Sequence, residues 1–474
     1  MVNCNTLKNI IGNFADHYYN SEMSYEKKYP IDKVSGPFLK FIQQERSGGL
    51  VLGLSVILAM ILANSPWHSA YHHFFEHTLG FRFDGRTYLE YSIHHWINDG
   101  LMAVFFFVVG LELKREIVAG ELSSPRKALL PIAAAIGGML VPALIYLAFN
   151  PAGEVHSGWG IPMATDIAFA LGVLYLLGNR IPLALKVFLT ALAIVDDLGA
   201  VLVIAFFYTS EISVISLLIG FLFLFLMYAG NRLGVRSIIY YAVLGILGVW
   251  TAFLLSGVHA TIAAVLAAFT IPADVKISEN SYIRKIRAYL DLFRDADRNN
   301  RIPTLTNEQL HILDVVKKET DNAIPPLQRL EHAMHPFVTF VIIPVFALAN
   351  AGVSLLDIDV TELFSTNVAI GVAAGLLIGK VTGVVGATWL CARLKIAPFP
   401  AGMNIRNLFG LGLLASIGFT MSLFITQLAF THEVYRVQAK IGIFAASIIG
   451  GILGYLVLSR QDKKKRPVPE DKNK

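Results

Sequence analysis

Two adjacent carboxylates, Asp196 and Asp197, stand inside a predominantly apolar run from Pro182 to Tyr208. One ionised Asp at the centre of a membrane helix costs roughly 2.5–3.5 kcal/mol on insertion scales, and folding gains nothing obvious from a second beside it. Carboxylates held in a low-dielectric span can bind a proton or a small hard cation through the same oxygens, and exchange one for the other. Consecutive side chains on a helix point about 100° apart, so the two cannot both project straight into one pocket. One faces the ion, while the other pairs with a neighbouring helix or shares the cavity. A third carboxylate, Asp166, follows Gly160-Ile161-Pro162-Met163-Ala164-Thr165. Pro162 and the small residues around it mark a place where a spanning helix can unwind and free carbonyls for a cation. Asp166 would then offset the positive end of a half-helix. A dipole-balancing Asp without ion contact explains the same residues.

Lys380, in Gly379-Lys380-Val381-Thr382-Gly383, is a lone basic residue in a long apolar run. A buried amine needs a carboxylate partner or a depressed pKa, and the functional reading, Lys380 as a salt-bridge partner for Asp196 or a titrating group itself, is preferred here to a structural counter-charge for a helix end. The stretch 408–430 contains Gly410, Gly412 and Gly418, with Ser416 and Thr420 beside the last. Interrupted spans in corresponding positions of two halves point to a transporter's midplane site, although glycines also serve close helix packing. Further out come Glu112, Lys114, Arg115 and Glu116, then Arg329, Glu331, His332 and His335, for which ordinary interfacial charge is the plainer reading. Asp99 and His259 lie within or beside apolar runs. His68, His72, His73, His77, His94 and His95 gather around 65–95, too loosely spaced for a metal set.

The elements that must position these groups are membrane spans. Of 474 residues, 55% are hydrophobic and only 15% charged, against about 25% charged in soluble domains. Taking about 20 apolar residues per crossing, twelve spans are expected near 48–64, 96–113, 127–149, 159–178, 182–208, 212–230, 236–255, 257–271, 335–352, 367–391, 408–430 and 440–458. The formal charge of +5 then has a use as cytoplasmic loop charge rather than nucleic-acid affinity. Connections after even-numbered spans carry Lys or Arg, including Arg126, Lys127, Arg180, Arg232, Arg236, Arg393, Lys395 and Arg406; those at 150–158, 209–211 and 353–366 carry none. Exceptions are Arg82 and Arg86 in the 65–95 loop and Arg436 and Lys440 in the 431–440 loop. Both termini are therefore expected in the cytoplasm.

The expected organisation is a cytoplasmic leader over 1–46, spans one to eight over 47–272, a charged cytoplasmic insert over 273–330, spans nine to twelve over 331–460 and a basic tail over 461–474. The leader lacks a compact apolar region with a cleavage site, so the first span acts as the insertion signal. Cys4 and Cys391 form neither a metal spacing nor a disulfide framework. In the insert, Ile283, Ile286, Leu290 and Phe293 recur at helical spacing, and Thr306 with Gln309 forms a capping-box pattern before Leu310. A solvated hairpin is the plainer reading there than a partner-binding module.

Together the motifs resemble the bacterial sodium/proton antiporter A (NhaA) family over most of 47–460. The resemblance rests on Trp96 to Gly100 (WINDG), Phe105 to Glu116 (FFFVVGLELKRE), Ala164 to Gly172 (ATDIAFALG), Ala191 to Gly199 (ALAIVDDLG) and Ser256 to Thr261 (SGVHAT) in the first part. Arg329 to Pro336 (RLEHAMHP), Phe346 to Val353 (FALANAGV), Gly375 to Lys380 (GLLIGK) and Ile417 to Ser422 (IGFTMS) follow in order. It implies an all-α polytopic membrane protein with twelve transmembrane helices, an inverted-topology repeat and two discontinuous helices crossing at midplane. It implies exchange of sodium or lithium for protons in a bacterial inner membrane. Asp197, Asp196, Asp166 and Thr165 match the family's ion-site positions, and Lys380 its essential lysine. Glu112, Arg115, Glu116, Glu331, His332 and His259 match positions tied to pH control. The long insert and the leader depart from the family pattern.

The expected activity is electrogenic, pH-regulated export of sodium against incoming protons by alternating access. Sodium, lithium and protons are the expected substrates, with sodium or lithium at Asp197, Asp196 and Asp166 and Asp99 as a structural or entry residue. Lipid surrounds the spans and a homodimer is open. No cofactor, enzymatic activity or nucleic-acid partner is expected. Two rivals use the same residues. A sodium-coupled organic-anion symporter of similar fold would need a substrate cavity. An intramembrane aspartyl protease would use Asp166 with Asp197, yet the Gly-x-Gly-Asp context is absent.

Overall fold

In lipid every backbone N–H and C=O must be satisfied within the chain, so long apolar runs become helices. The computed structural model describes residues 45–83, 86–178, 181–209, 212–297, 304–354, 366–400 and 403–460. The expected leader (apart from its last residues) and the basic tail lie outside these, as do Arg180 and the side chains of Arg82 and Arg86.

Helix α1 (Glu45–Ala63) bends by 111° into α2 (His68–Glu76). A two-stranded antiparallel hairpin follows, β1 (Thr78–Phe83) with β2 (Arg86–Ser92), in register Thr78 to Ser92. The sequence reading has a plain loop here. A π-helical turn (Trp96–Leu101) leads into α3 (Met102–Ala119). Next come α4 (Pro125–Phe149), with Pro at its first turn, a 3₁₀ stretch (Glu154–Met163) before α5 (Ile167–Leu176), then α6 (Leu183–Phe207) and α7 (Val214–Arg232). The helices α8 (Ile238–Leu254) and α9 (Ala260–Thr270) precede α10 (Glu279–Asp295) and α11 (Asn307–Ala323). The chain continues through α12 (Pro326–Asn350), α13 (Val368–Arg393), α14 (Ile405–Ala415), α15 (Phe419–Ala429) and α16 (Glu433–Ser459).

The protein is an all-α polytopic membrane protein. Among the described residues seven helices are long and apolar enough to cross a bilayer, and up to nine if each of two bent pairs, α1 with α2 and α14 with α15, counts as one. The expected spans at 96–113, 236–255 and 257–271 are helical too. The first carries Glu112, Lys114, Arg115 and Glu116 near its end, and α8 and α9 are shorter than 18 residues, so length and hydropathy alone do not mark them as crossings. Within the insert, α10 and α11 form a hairpin clasped by Lys285 to Glu319 (3.0 Å) and Tyr282 to Thr320 (3.1 Å), and the Thr306–Gln309 capping box is present. Lys440, counted above as loop charge, lies inside α16 and is buried.

Two sets of helices pack mainly among themselves. One, the bundle, comprises α4, α5, α6, α13, α14, α15 and α16; the other, the panel, comprises α3, α7, α8, α9 and α12, with α1 bridging between α12 and α5. The tightest seam in the bundle is α4 against α13. A Cβ on Gly383 would be driven into the carbonyl oxygen of Gly137, and one on Gly137 into that of Gly383, so small residues let the backbones touch. Gly383→Ala is expected to lower stability by about 1–3 kcal/mol or more, read as an earlier thermal unfolding midpoint in detergent. An unchanged midpoint would mean the two helices have room to spare.

Candidate functional site

Two helix interruptions face each other inside the bundle. The first lies at 164–166, where Asp166 caps α5 by accepting a hydrogen bond from the Phe169 N–H (2.9 Å). Pro162 lacks an N–H to continue a helix. The second lies at 416–418, between α14 and α15. Each break satisfies the other's polar groups. The Asp166 N–H donates to Ile417 O (2.6 Å) and Thr165 Oγ1 donates to Ala415 O (2.9 Å). The Thr420 N–H (3.0 Å) and Oγ1 (2.6 Å) both donate to Asp166 Oδ2, and Ser422 Oγ donates to Ile161 O (2.8 Å). Irregular backbone at membrane depth is tolerated only where it is enclosed in this way.

Against this junction α6 sets its two carboxylates. Asp196, Asp197, Thr165 and Lys380 are fully buried and Asp166 nearly so. Lys380 closes a π-helical turn, Gly375–Lys380, within α13, a local widening common at functional positions. Its Nζ donates to Asp196 Oδ2 at 2.5 Å and to the carbonyl of Met163 at the first break. Asp197, the next residue, points elsewhere, and neither of its oxygens has a hydrogen-bond partner among the described residues. The charges that act on it are those of Asp196, Asp166, Glu112 and Lys380. The three carboxylates thus differ: Asp166 is committed to α5 and Thr420, Asp196 to Lys380, and Asp197 to neither. Isolated charge in a low dielectric is costly, so Asp197 is the group whose oxygens gain most from a proton or a cation.

A second charged group lies toward the end of α3. Arg115 bridges Glu116 (3.1 Å) and Glu331 (3.2 Å), and Glu116 also accepts from the Glu121 N–H (3.0 Å). Glu112 is electrostatically coupled to Glu331, Arg115 and Glu116 as well as to Asp197, linking the two groups. Lys114 donates to Phe269 O (2.7 Å) and to Ile271 O, capping the C-terminal end of α9. His332 is exposed. The structure does not bring His259 or Asp99 to either group. His259 donates to Tyr208 O (2.8 Å) and Asp99 pairs with His95 (3.1 Å). Among the described residues no three or more His, Cys, Asp or Glu side chains converge as a metal-ligand set, neither the loop histidines nor the three aspartates together, so a cation at Asp197 would draw on other oxygens as well.

A cavity of about 450 Å³ opens on the side of the basic loops, with Glu121, Arg126 and Lys127 at one end and Phe188 and Ala191 on α6 among its lining residues. Ala191 lies about 7.5 Å of helix rise before Asp196. Sequence reasoning gave Thr420 no role, although it binds Asp166 twice. The signal was present, a hydroxyl two residues after the glycine of an interrupted span, but its partner was not.

Buried, unequally partnered carboxylates at the meeting point of two broken helices define an ion-coupled membrane transporter by layout. The comparisons with known proteins narrow the class. The family described as Na+/H+ antiporter 1 matches residues 39–458, and the chain belongs to it. It is 52% identical to the Na(+)/H(+) antiporter NhaA of Acidithiobacillus ferrooxidans, over 91% of this chain and 99% of that one. It is 50% identical to the Na(+)/H(+) antiporter NhaA of Oleidesulfovibrio alaskensis, over 90% and 95%, and 48% identical to the Na(+)/H(+) antiporter NhaA 2 of Syntrophotalea carbinolica, over 90% and 97%.

Proposed function

We propose that this protein exchanges sodium for protons across the membrane, with Asp197 as the group that carries either ion. The observation behind the assignment is its fully buried carboxylate without a hydrogen-bond partner, one residue from an Asp already neutralised by Lys380. A proton on Asp197 and a cation against it are mutually exclusive, because both use the same oxygens. Arrival of sodium expels the proton, and return of the proton expels sodium. Asp196, Asp166 and Thr165 complete the surroundings of that site, and lithium, equally hard and oxygen-seeking, is a second cation for it. Lys380 holds Asp196 away from Asp197, and a change in that pair supplies a second proton per cation.

Positive loop charge supports cytoplasmic termini in a bacterial inner membrane, with the cavity beside Arg126 facing the cytoplasm and sodium leaving outward. The network of Glu112, Arg115, Glu116, Glu331 and His332 is our choice for pH control, since Glu112 joins it to Asp197; His259 acts, on this reading, from the opposite end of the molecule.

Inverted vesicles separate this reading from its rivals: adding sodium or lithium is expected to release protons from them. A symporter would instead need an organic solute, and a protease would move neither ion. With two protons per cation, an imposed membrane potential is expected to change the exchange rate severalfold. A rate flat with voltage would exclude the unequal stoichiometry.

A further inference from the structure

Lys440 is a buried ammonium that the exchange chemistry does not use. It lies on α16 of the bundle, 6% exposed, and its Nζ donates to Gly352 O at 3.2 Å. Gly352 is two residues beyond the end of α12, a panel helix, so Lys440 meets the negative end of that helix dipole. Other groups holding this end come from helices outside the bundle: Tyr71 Oη donates to Leu348 O (2.6 Å), Asn64 Nδ2 to Val353 O (2.8 Å), and Asn350 Nδ2 to Asn98 Oδ1 (2.9 Å). Lys440 therefore adds a polar tie from the bundle to this end of α12.

Two more links cross on the same face. His259 of the panel donates to Tyr208 O at the end of α6 (2.8 Å). Deeper, the fully buried Phe424 of α15 packs on Phe106 of α3 and Phe346 of α12, with ring centroids 5.6 and 6.2 Å apart. All three links lie on the face opposite the basic loops, whereas the cavity lined by Phe188 and Ala191 of α6 lies on the basic side. Asp197 itself is fully buried. If the bundle parts from the panel on the face that carries these links, the bond from Lys440 to Gly352 O breaks.

We propose that Lys440 is a positioning residue for the exchange. It latches the external ends of α16 and α12 together while the site faces the cytoplasm, and releases Gly352 when the site turns outward. The proposal rests on the alternating-access reading above but does not depend on which ion is carried. A second buried lysine would otherwise be a costly feature without purpose.

The test is outward accessibility in intact cells, in a Cys4→Ser/Cys391→Ser background carrying Ala347→Cys, a buried reporter next to Phe346. A membrane-impermeant maleimide added outside is expected to label this cysteine at least fivefold faster with Lys440→Gln. Labelling with Lys440→Arg, which keeps charge and donor, should stay near the parent rate. Arg436→Gln is the control, because Arg436 donates to Phe430 O within the bundle (2.7 Å), and it should not accelerate labelling. Unchanged labelling in folded Lys440→Gln, or equal acceleration by Arg436→Gln, overturns the latch. Should Lys440→Gln fail to reach the membrane, Lys440→Met repeats the measurement; loss of both, with Lys440→Arg also unstable, assigns Lys440 to folding alone and ends the proposal. A labelling effect in a protein that releases no protons on sodium addition would keep the latch and sink sodium/proton exchange.

Discussion

Asp197→Asn abolishes sodium-driven proton release from inverted vesicles, down to that of vesicles lacking the protein, and does so without destabilising the fold. Both halves follow from the partners of this side chain. Asn is nearly the same size, but it binds no proton at working pH and offers no charge to a bare cation. Exchange needs one group that alternates between these two states, and the substitution removes both. Stability responds differently. The carboxylate is fully buried with no hydrogen-bond partner, so removing its charge gives up no bond and relieves a desolvation cost of several kcal/mol for an unpaired ion. The amide brings donors that need partners, at about 1–3 kcal/mol if left unmade, which offsets only part of that relief. The thermal midpoint in detergent should therefore not fall below the parent's. Proton release above a tenth of the parent rate would remove Asp197 from its assigned role. A variant that unfolds early would mean its oxygens hold the bundle together.

Charge inside apolar sequence is legible because lipid makes it expensive. That is why Asp196, Asp197 and Lys380 stand out from the chain without any structure. Pro162 likewise announces the first break, and Gly418 with its neighbours the second. What the chain does not spell out is which oxygens each group meets. Thr420 and Asp166 are 254 residues apart in sequence, and only the docking of one break on the other makes Thr420 a partner. Orientation on α6 is legible only in part. The 100° offset separates Asp196 from Asp197, and Lys380 reaches Asp196 as expected, yet only the packing leaves Asp197 without a hydrogen-bond partner among the described residues. Lys440 was lost for another reason: seven residues from the start of α16, it falls where loop charge and span charge cannot be told apart by position. The β-hairpin within the expected 65–95 loop does have a sequence signal, Asp84-Gly85 between two β-rich runs, which a search for apolar spans passes over.

The Lys380–Asp196 pair yields the largest expected change in stability. Breaking a buried ion pair by removing one partner typically costs about 3–5 kcal/mol, because the remaining charge is stranded. Lys380→Met strands Asp196, and also leaves the Met163 carbonyl at the first break without its donor. Asp196→Leu strands the ammonium, which keeps only Met163 O. Each single variant is expected to unfold well below the parent. The double variant, Lys380→Met with Asp196→Leu, replaces both charges by apolar groups and should recover most of the loss, since buried pairs exchanged for apolar residues are often neutral in stability. Midpoints that simply add would show that the two groups do not interact despite their 2.5 Å separation. The double variant then tests transport on a folded protein. It keeps Asp197 and both helix breaks, so sodium still displaces one proton, but the second titrating group is gone. Exchange becomes one for one, and its response to an imposed potential disappears. If the voltage response persists in the double variant, the second proton comes from elsewhere, and the pair serves only to hold α13 against α6.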